Sequence, residues 1–217
     1  MSDSCKDRDL LAIEPGIFTG GGFESQQMAA GTDGAISATT FSSPSADFVA
    51  ASIQPGMVLC IYAAVPAEGR CYEIVSVDSA TALTVSVLRA EHDGNAIAPP
   101  AGTSLKYQIN TFAPQVSAAA ATLHEKLRQI AEAEGISEAD FTDSAQLGRA
   151  IALGALAAVF TARAANATDA DANWVKAEHY RRQHVAATAA IRLAQDTDGD
   201  GVAERTRTLG NVSLRRA

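Results

Sequence analysis

Asp196, Asp198 and Asp200 stand at every second position and are followed by Gly201, the spacing in this chain that comes nearest to an ion site. In a calcium loop of the EF-hand or dockerin type, carboxylates at positions 1, 3 and 5 converge on one ion and a glycine permits the sharp turn. Counting on from Asp196, Glu204 falls at position 9, but Arg207 stands at position 12, where a bidentate acid closes the coordination shell. A cation there opposes the ion, so the expectation is an acidic, Asx-rich turn that stops a helix. The alternative is a calcium-dependent binding module whose ligands are Asp196, Asp198, Asp200 and Glu204. No other cofactor is expected.

Other chemistry-bearing residues do not converge. His179 and His184 are five positions apart, about 140° around a helix, so they do not face one ion as an i, i+4 pair would. His124-Glu125 lacks the second histidine of a zinc-hydrolase helix, and His184 is expected as a packed, hydrogen-bonded residue. Gly20-Gly21-Gly22 has neither the Lys-Ser/Thr of a phosphate loop nor a preceding apolar strand. No serine sits in a nucleophile elbow. An enzyme is therefore not expected. Trp174, Tyr180, Arg181 and Arg182 form instead a candidate interface, since tryptophan, tyrosine and arginine dominate binding hot spots.

The elements that must carry these residues change period near residue 112. Met57–Ala63, Cys71–Val77, Thr81–Leu88 and Leu105–Phe112 read as strands, with Ile36–Phe41 a weaker one. Leu83, Val85 and Val87 alternate with Thr84 and Ser86, the period of a half-buried strand. Beyond Pro114 the chain is Ala-rich and helical. Leu123, Leu127 and Ile130 mark one helix stopped by Gly135. Leu147, Ile151, Ala155, Val159 and Ala162 mark a second, and Ala177, Tyr180, His184, Ala187, Ile191 and Ala194 a third that starts near Asp169–Asp171. The expected fold is α+β, a C-terminal helical bundle with an inserted small antiparallel β-barrel or sandwich. Residues 1–19 form a short helix joining the bundle, 20–112 the β module, 113–195 the bundle, and 196–217 an acidic turn and basic docking tail.

Composition limits the partners. The 217 residues are 47% hydrophobic and 19% charged, and the net charge is −8. Through Phe112 there are 5 Lys and Arg against 12 Asp and Glu, whereas after Glu204 there are four arginines and no acid. An acidic chain is a poor general binder of nucleic acid, because phosphate neutralisation dominates that affinity. No run of about 18 apolar residues occurs, and the polar N-terminus lacks the pattern of a secretory signal. A cytosolic chain with no membrane partner is expected, with Cys60 and Cys71 as free buried thiols.

The C-terminal pattern then carries a likeness: Trp174, Ala177, His179-Tyr180-Arg181, Ile191-Arg192-Leu193, the run Asp196–Glu204, Arg207, Gly210, Leu214 and Arg216. With Asp9–Gly16, it resembles the head-to-tail connector, or adaptor, proteins of tailed bacteriophages and gene transfer agents. The β module departs from the smallest members of that group. The resemblance implies a virion neck protein assembled in the host bacterial cytoplasm. It implies a portal-binding tail through Arg205, Arg207, Leu214, Arg215 and Arg216, and a homo-oligomeric, dodecameric ring. It further implies a stopper or tail protein as second partner, and genomic DNA passing through the lumen without specific binding.

Overall fold

The computed structural model describes residues 5–18, 26–62, 69–134, 144–164, 171–195 and 205–208. The chain divides into one unit of Lys6–Ala113 and another of Met1–Cys5 with Pro114–Ala217. In the first, α1 (Asp7–Ile13) and a single 3-10 turn (Pro15–Ile17) precede six strands. These are β1 (Gln27–Ser37), β2 (Thr40–Ser42), β3 (Val58–Tyr62), β4 (Gly69–Val77), β5 (Ala82–Ser86) and β6 (Gly102–Asn110). They close into an antiparallel barrel in the order β1-β2-β5-β4-β3-β6, with β6 pairing both β1 and β3. Among the described residues each barrel strand thus has a ladder on both sides, although β2 covers only the last residues of β1.

Alternation places Leu83 and Val85 of β5 in the barrel interior with Phe41, Phe48, Leu59, Ile74, Tyr107 and Ile109. Val87 lies past the end of β5 and is exposed, so the expected third inward position is not one. The weak strand expected over 36–41 is instead a hairpin, with Ser37 opposite Thr40 and Ala38 at φ +51° in its two-residue turn. β1 itself hid from the period because its register shifts around Gly31 and Gly34. A Cβ on Gly31 would sit 2.6 Å from Cε1 of Tyr107, so glycine makes room for that ring at the cost of a strand-like signal. The Tyr107 hydroxyl donates to Ser43 Oγ at 3.0 Å, and Ser43 donates to Asp33 Oδ1 at 2.7 Å. Hydrogen bonds from Ser43 and Ser45 pull the Asp33 carboxyl down to about 2.

Two expectations are corrected here. The N-terminal helix belongs to the barrel unit and not to the helices. The Arg8 backbone N–H donates to Gly56 O at 3.0 Å, and Asp7 Oδ1 accepts the Phe112 N–H at 2.8 Å. Its polar residues found partners in the barrel: Glu73 of β4 has no exposed surface, Arg8 Nη1 lies 3.0 Å from Glu73 Oε2, and Arg89 N–H donates to Glu73 Oε1 at 3.0 Å. The Arg8–Glu73 contact is an ion pair without hydrogen-bond alignment. Arg8 Nη2 donates to Arg89 O at 2.6 Å, which ties the three residues into one buried group. Burial pushes the Asp7 carboxyl up to about 6, against the lowering effect of the Phe112 N–H and the Thr111 side chain. Secondly, Cys60 and Cys71 are not free thiols but a disulfide, because the β3–β4 register sets them directly opposite one another. The remaining cysteine, Cys5, is buried.

From Pro114 onward the elements are α2 (Ala113–Glu134), α3 (Ser144–Arg163), α4 (Ala172–Ala190), β7 (Arg192–Gln195) and β8 (Arg205–Thr208). Asp171 caps α4 by accepting from the N–H groups of Asn173 and Trp174. The middle of α3 is largely buried, with Ala150, Ile151, Ala155, Leu156 and Val159 at 0–1% exposure. By length and composition α3 is apolar enough to span a bilayer, and 56% of that window is buried inside the protein. Ala162, expected on its inward stripe, is exposed. Gly154 is the close point of three helices, since a Cβ there would meet the His184 ring at 3.1 Å and Ala119 Cβ at 3.3 Å. The expected seam of α4 stops early: at Ile191 the backbone turns extended (ψ 126°), and Arg192–Gln195 pairs with Arg205–Thr208 as a two-stranded sheet. Ile191 is still buried, but position 194 is strand and not helix.

Candidate functional site

The surface with binding chemistry is the aromatic and basic side of α4. Tyr180 is 7% exposed and stacks on Phe160 of α3, with ring centroids 5.7 Å apart and planes at 16°. Lys176 Nζ lies 5.0 Å from the same Phe160 centroid. Trp174 is half-buried, and one face of its indole is covered by the Arg181 guanidinium, 5.7 Å from the ring centroid and two helical turns along. Arg181 also pairs with Glu178 one turn back. Arg182 points to solvent. Of the four candidates, Tyr180 is thus packed against α3, Trp174 is half-buried under Arg181, and Arg181 and Arg182 are exposed.

Beside these residues runs a groove of about 560 Å³, in which Ala158, Thr161 and Ala162 of α3 lie between Ala118 of α2 and Arg181 and His184 of α4. His184 is held by a 2.8 Å contact from Nδ1 to the Ala150 carbonyl oxygen, the packed role expected of it. Small side chains on α3 leave the space, and arginine and histidine stand at one wall. The arrangement suits an apolar surface carrying carboxylates; it brings no nucleophile next to a base.

Arg205 and Arg207 lie on β8, opposite Gln195 and Leu193 in register. Within the expected docking tail these two residues thus stand in a paired strand, which suits the β-favouring Thr206 and Thr208 of the same segment. Leu214, Arg215 and Arg216 lie outside the described residues, as do the calcium candidates Asp196, Asp198, Asp200 and Glu204. Among the described residues no group of three or more His, Cys, Asp or Glu could hold a metal.

One cluster of charged groups went unseen in the sequence: Arg8, Glu73 and Arg89, with Asp9 and His92 at its edge, where His92 Nε2 is 3.2 Å from Asp9 Oδ1. It draws on three distant segments, around residues 8, 73 and 89, that fit no motif, so only the barrel closure brings them together. Comparison with family models, with curated proteins and with solved structures finds no match to this chain.

Proposed function

We propose that the chain is a structural head-to-tail connector of a phage-like particle. In this reading it forms a ring beneath a portal, joins the portal to a stopper or tail protein, and leaves a channel for DNA. The observation that carries the reading is the α4 surface: Arg181 lies over the half-buried Trp174, Arg182 is exposed beside it, and Tyr180 anchors the helix on Phe160. Rigid aromatics under exposed arginines are the composition of a docking surface. In this proposal α2, α3 and α4 act as the bundle that meets neighbouring subunits. Arg205, Arg207, Leu214, Arg215 and Arg216 reach the portal, where guanidinium groups pair with acids. The excess of acids in Lys6–Ala113, 11 against 5 bases, lets DNA pass without being gripped. The role is assembly without catalysis.

The test is negative-stain electron microscopy of the purified chain, alone and mixed with the portal protein from its own genome neighbourhood. Rings, or a collar added to portal particles and lost in Arg215→Glu/Arg216→Glu, are expected. A portal-indifferent monomer overturns the reading. Calorimetric titration with Ca²⁺ separates it from the calcium-module alternative, for which saturable binding lost in Asp198→Asn is the forecast.

A further inference from the structure

Cys60 and Cys71 face each other across β3 and β4 with Cα atoms 4.2 Å apart, but the two ends of the bond live in different surroundings. Cys60 has no exposed surface, and its sulfur lies 3.9 Å from the carbonyl oxygen of Phe18, itself 3% exposed. Phe18 is held in turn by Phe112, with ring centroids 4.9 Å apart. Cys71 is partly exposed. Thiol–disulfide exchange needs a thiolate to reach one of the two sulfurs, so access selects which is attacked. A thiolate bound for Cys60 must first displace the Phe18 segment; one bound for Cys71 need not.

We infer that the Cys60–Cys71 disulfide is a redox-sensitive device of fixed polarity, opened by a small external thiol at Cys71 while the barrel stays folded. In the first step the attacking sulfur bonds to Cys71 Sγ and the Cys60–Cys71 bond breaks. Its electron pair leaves on Cys60, which takes a proton from water. A second thiolate then attacks the outer sulfur of the mixed disulfide, releasing Cys71 as a thiolate and a small-molecule disulfide. The two electrons come from two equivalents of the thiol. The backbone pairing of β3 with β4 and β6, and the core behind it, do not depend on the bond. Reduction therefore loosens the β3–β4 hairpin without dissolving it. For a cross-link between residues 11 apart, loss of the constraint is expected to raise the equilibrium constant for barrel opening on the order of 100-fold. This inference stands apart from the connector reading and survives its failure.

The experiment is peptide mass mapping of the full-length protein. The oxidised chain is exposed to reduced glutathione without denaturant, quenched with acid, and only then denatured and alkylated. The expected first product carries glutathione on Cys71 and the alkyl group on Cys60. Glutathione on Cys60 overturns the polarity. A disulfide that resists until the whole barrel unfolds overturns the device, as does a freshly purified, unreduced chain with three thiols. In the single variants, Cys71 of Cys60→Ser is expected to alkylate at least tenfold faster than Cys60 of Cys71→Ser under native conditions. Equal rates overturn the assigned cover over Cys60. If a variant does not fold, the mapping on the unmodified protein decides alone.

Discussion

In the barrel a glutamate without exposed surface lies between two arginines, whereas α2, α3 and α4 keep their ion pairs outside and fill their interior with alanine, glycine and leucine. The barrel also carries the disulfide and a Tyr107–Ser43–Asp33 chain of hydrogen bonds that runs from the core to the surface. A core specified by such partners has one register and suffers when any of them is removed. Helices joined through small residues are specified less sharply, and α4 leaves Val175 and Val185 at 49% and 62% exposure. The first arrangement suits a self-contained body, the second a surface with contacts to spare.

That contrast can be broken most severely at Glu73. Glu73→Ala strands two buried guanidinium groups and is expected to cost about 3–5 kcal/mol in urea unfolding. A loss below about 1 kcal/mol would mean the arginines reach water and the contrast is false. Asp7 gives a pH test. Its folded pKa is raised from 3.8 to about 6, so the folded state holds the proton more tightly than the unfolded chain does. The stability it contributes is full below about pH 4, is lost as pH rises through about 6, and stays lost above, a change on the order of 3 kcal/mol. Asp7→Asn is expected to flatten that slope in a melting series from pH 4 to 8; an unchanged slope would remove Asp7 as its source.

Two glycines sharpen the comparison. Gly31→Ala drives a methyl to 2.6 Å from the Tyr107 ring and is expected to cost about 1–3 kcal/mol. Gly154→Ala adds contacts of 3.1 and 3.3 Å but gains helix propensity of about 1 kcal/mol, so its net effect is expected within about 1 kcal/mol of zero. Equal losses at the two sites would show that both cores are packed alike. The smallest effect belongs to Val185→Asp on the outside of α4, within about 0.5 kcal/mol of the parent in unfolding. Under the connector reading it weakens self-association in sedimentation, and unchanged association would assign that face no role.

Patterns that repeat locally were readable in the sequence. The alternation of Leu83 and Val85 and the Pro55-Gly56 turn correspond to observed elements, because each depends on neighbours a few residues away, while the expected stop at Gly135 lies outside the described residues. β1 was missed since Gly31 makes room for a ring 76 positions further on, and its register shifts around Gly31 and Gly34. The cysteine pairing was misjudged because it depends on a register that compartment arguments do not contain. Arg8, Glu73 and Arg89 each look like ordinary surface residues until closure buries them. At the candidate site, residue types announced Trp174, Tyr180, Arg181 and Arg182. Their division into packed and exposed groups depends on Phe160, which belongs to another helix.

The hydrogen bond from the Phe112 N–H to Asp7 spans 105 residues and ties the first turn of the barrel unit to the end of its last strand. That unit begins at Lys6 and finishes at Ala113. A force pulling the polypeptide apart at these two points is therefore carried first by the Asp7 carboxylate and by the Arg8 anchor on Gly56, with the strand ladders out of the line of load. The barrel sits on the chain as a bead on a closed ring. It transmits tension across its base and begins to unzip only after α1 has been peeled away.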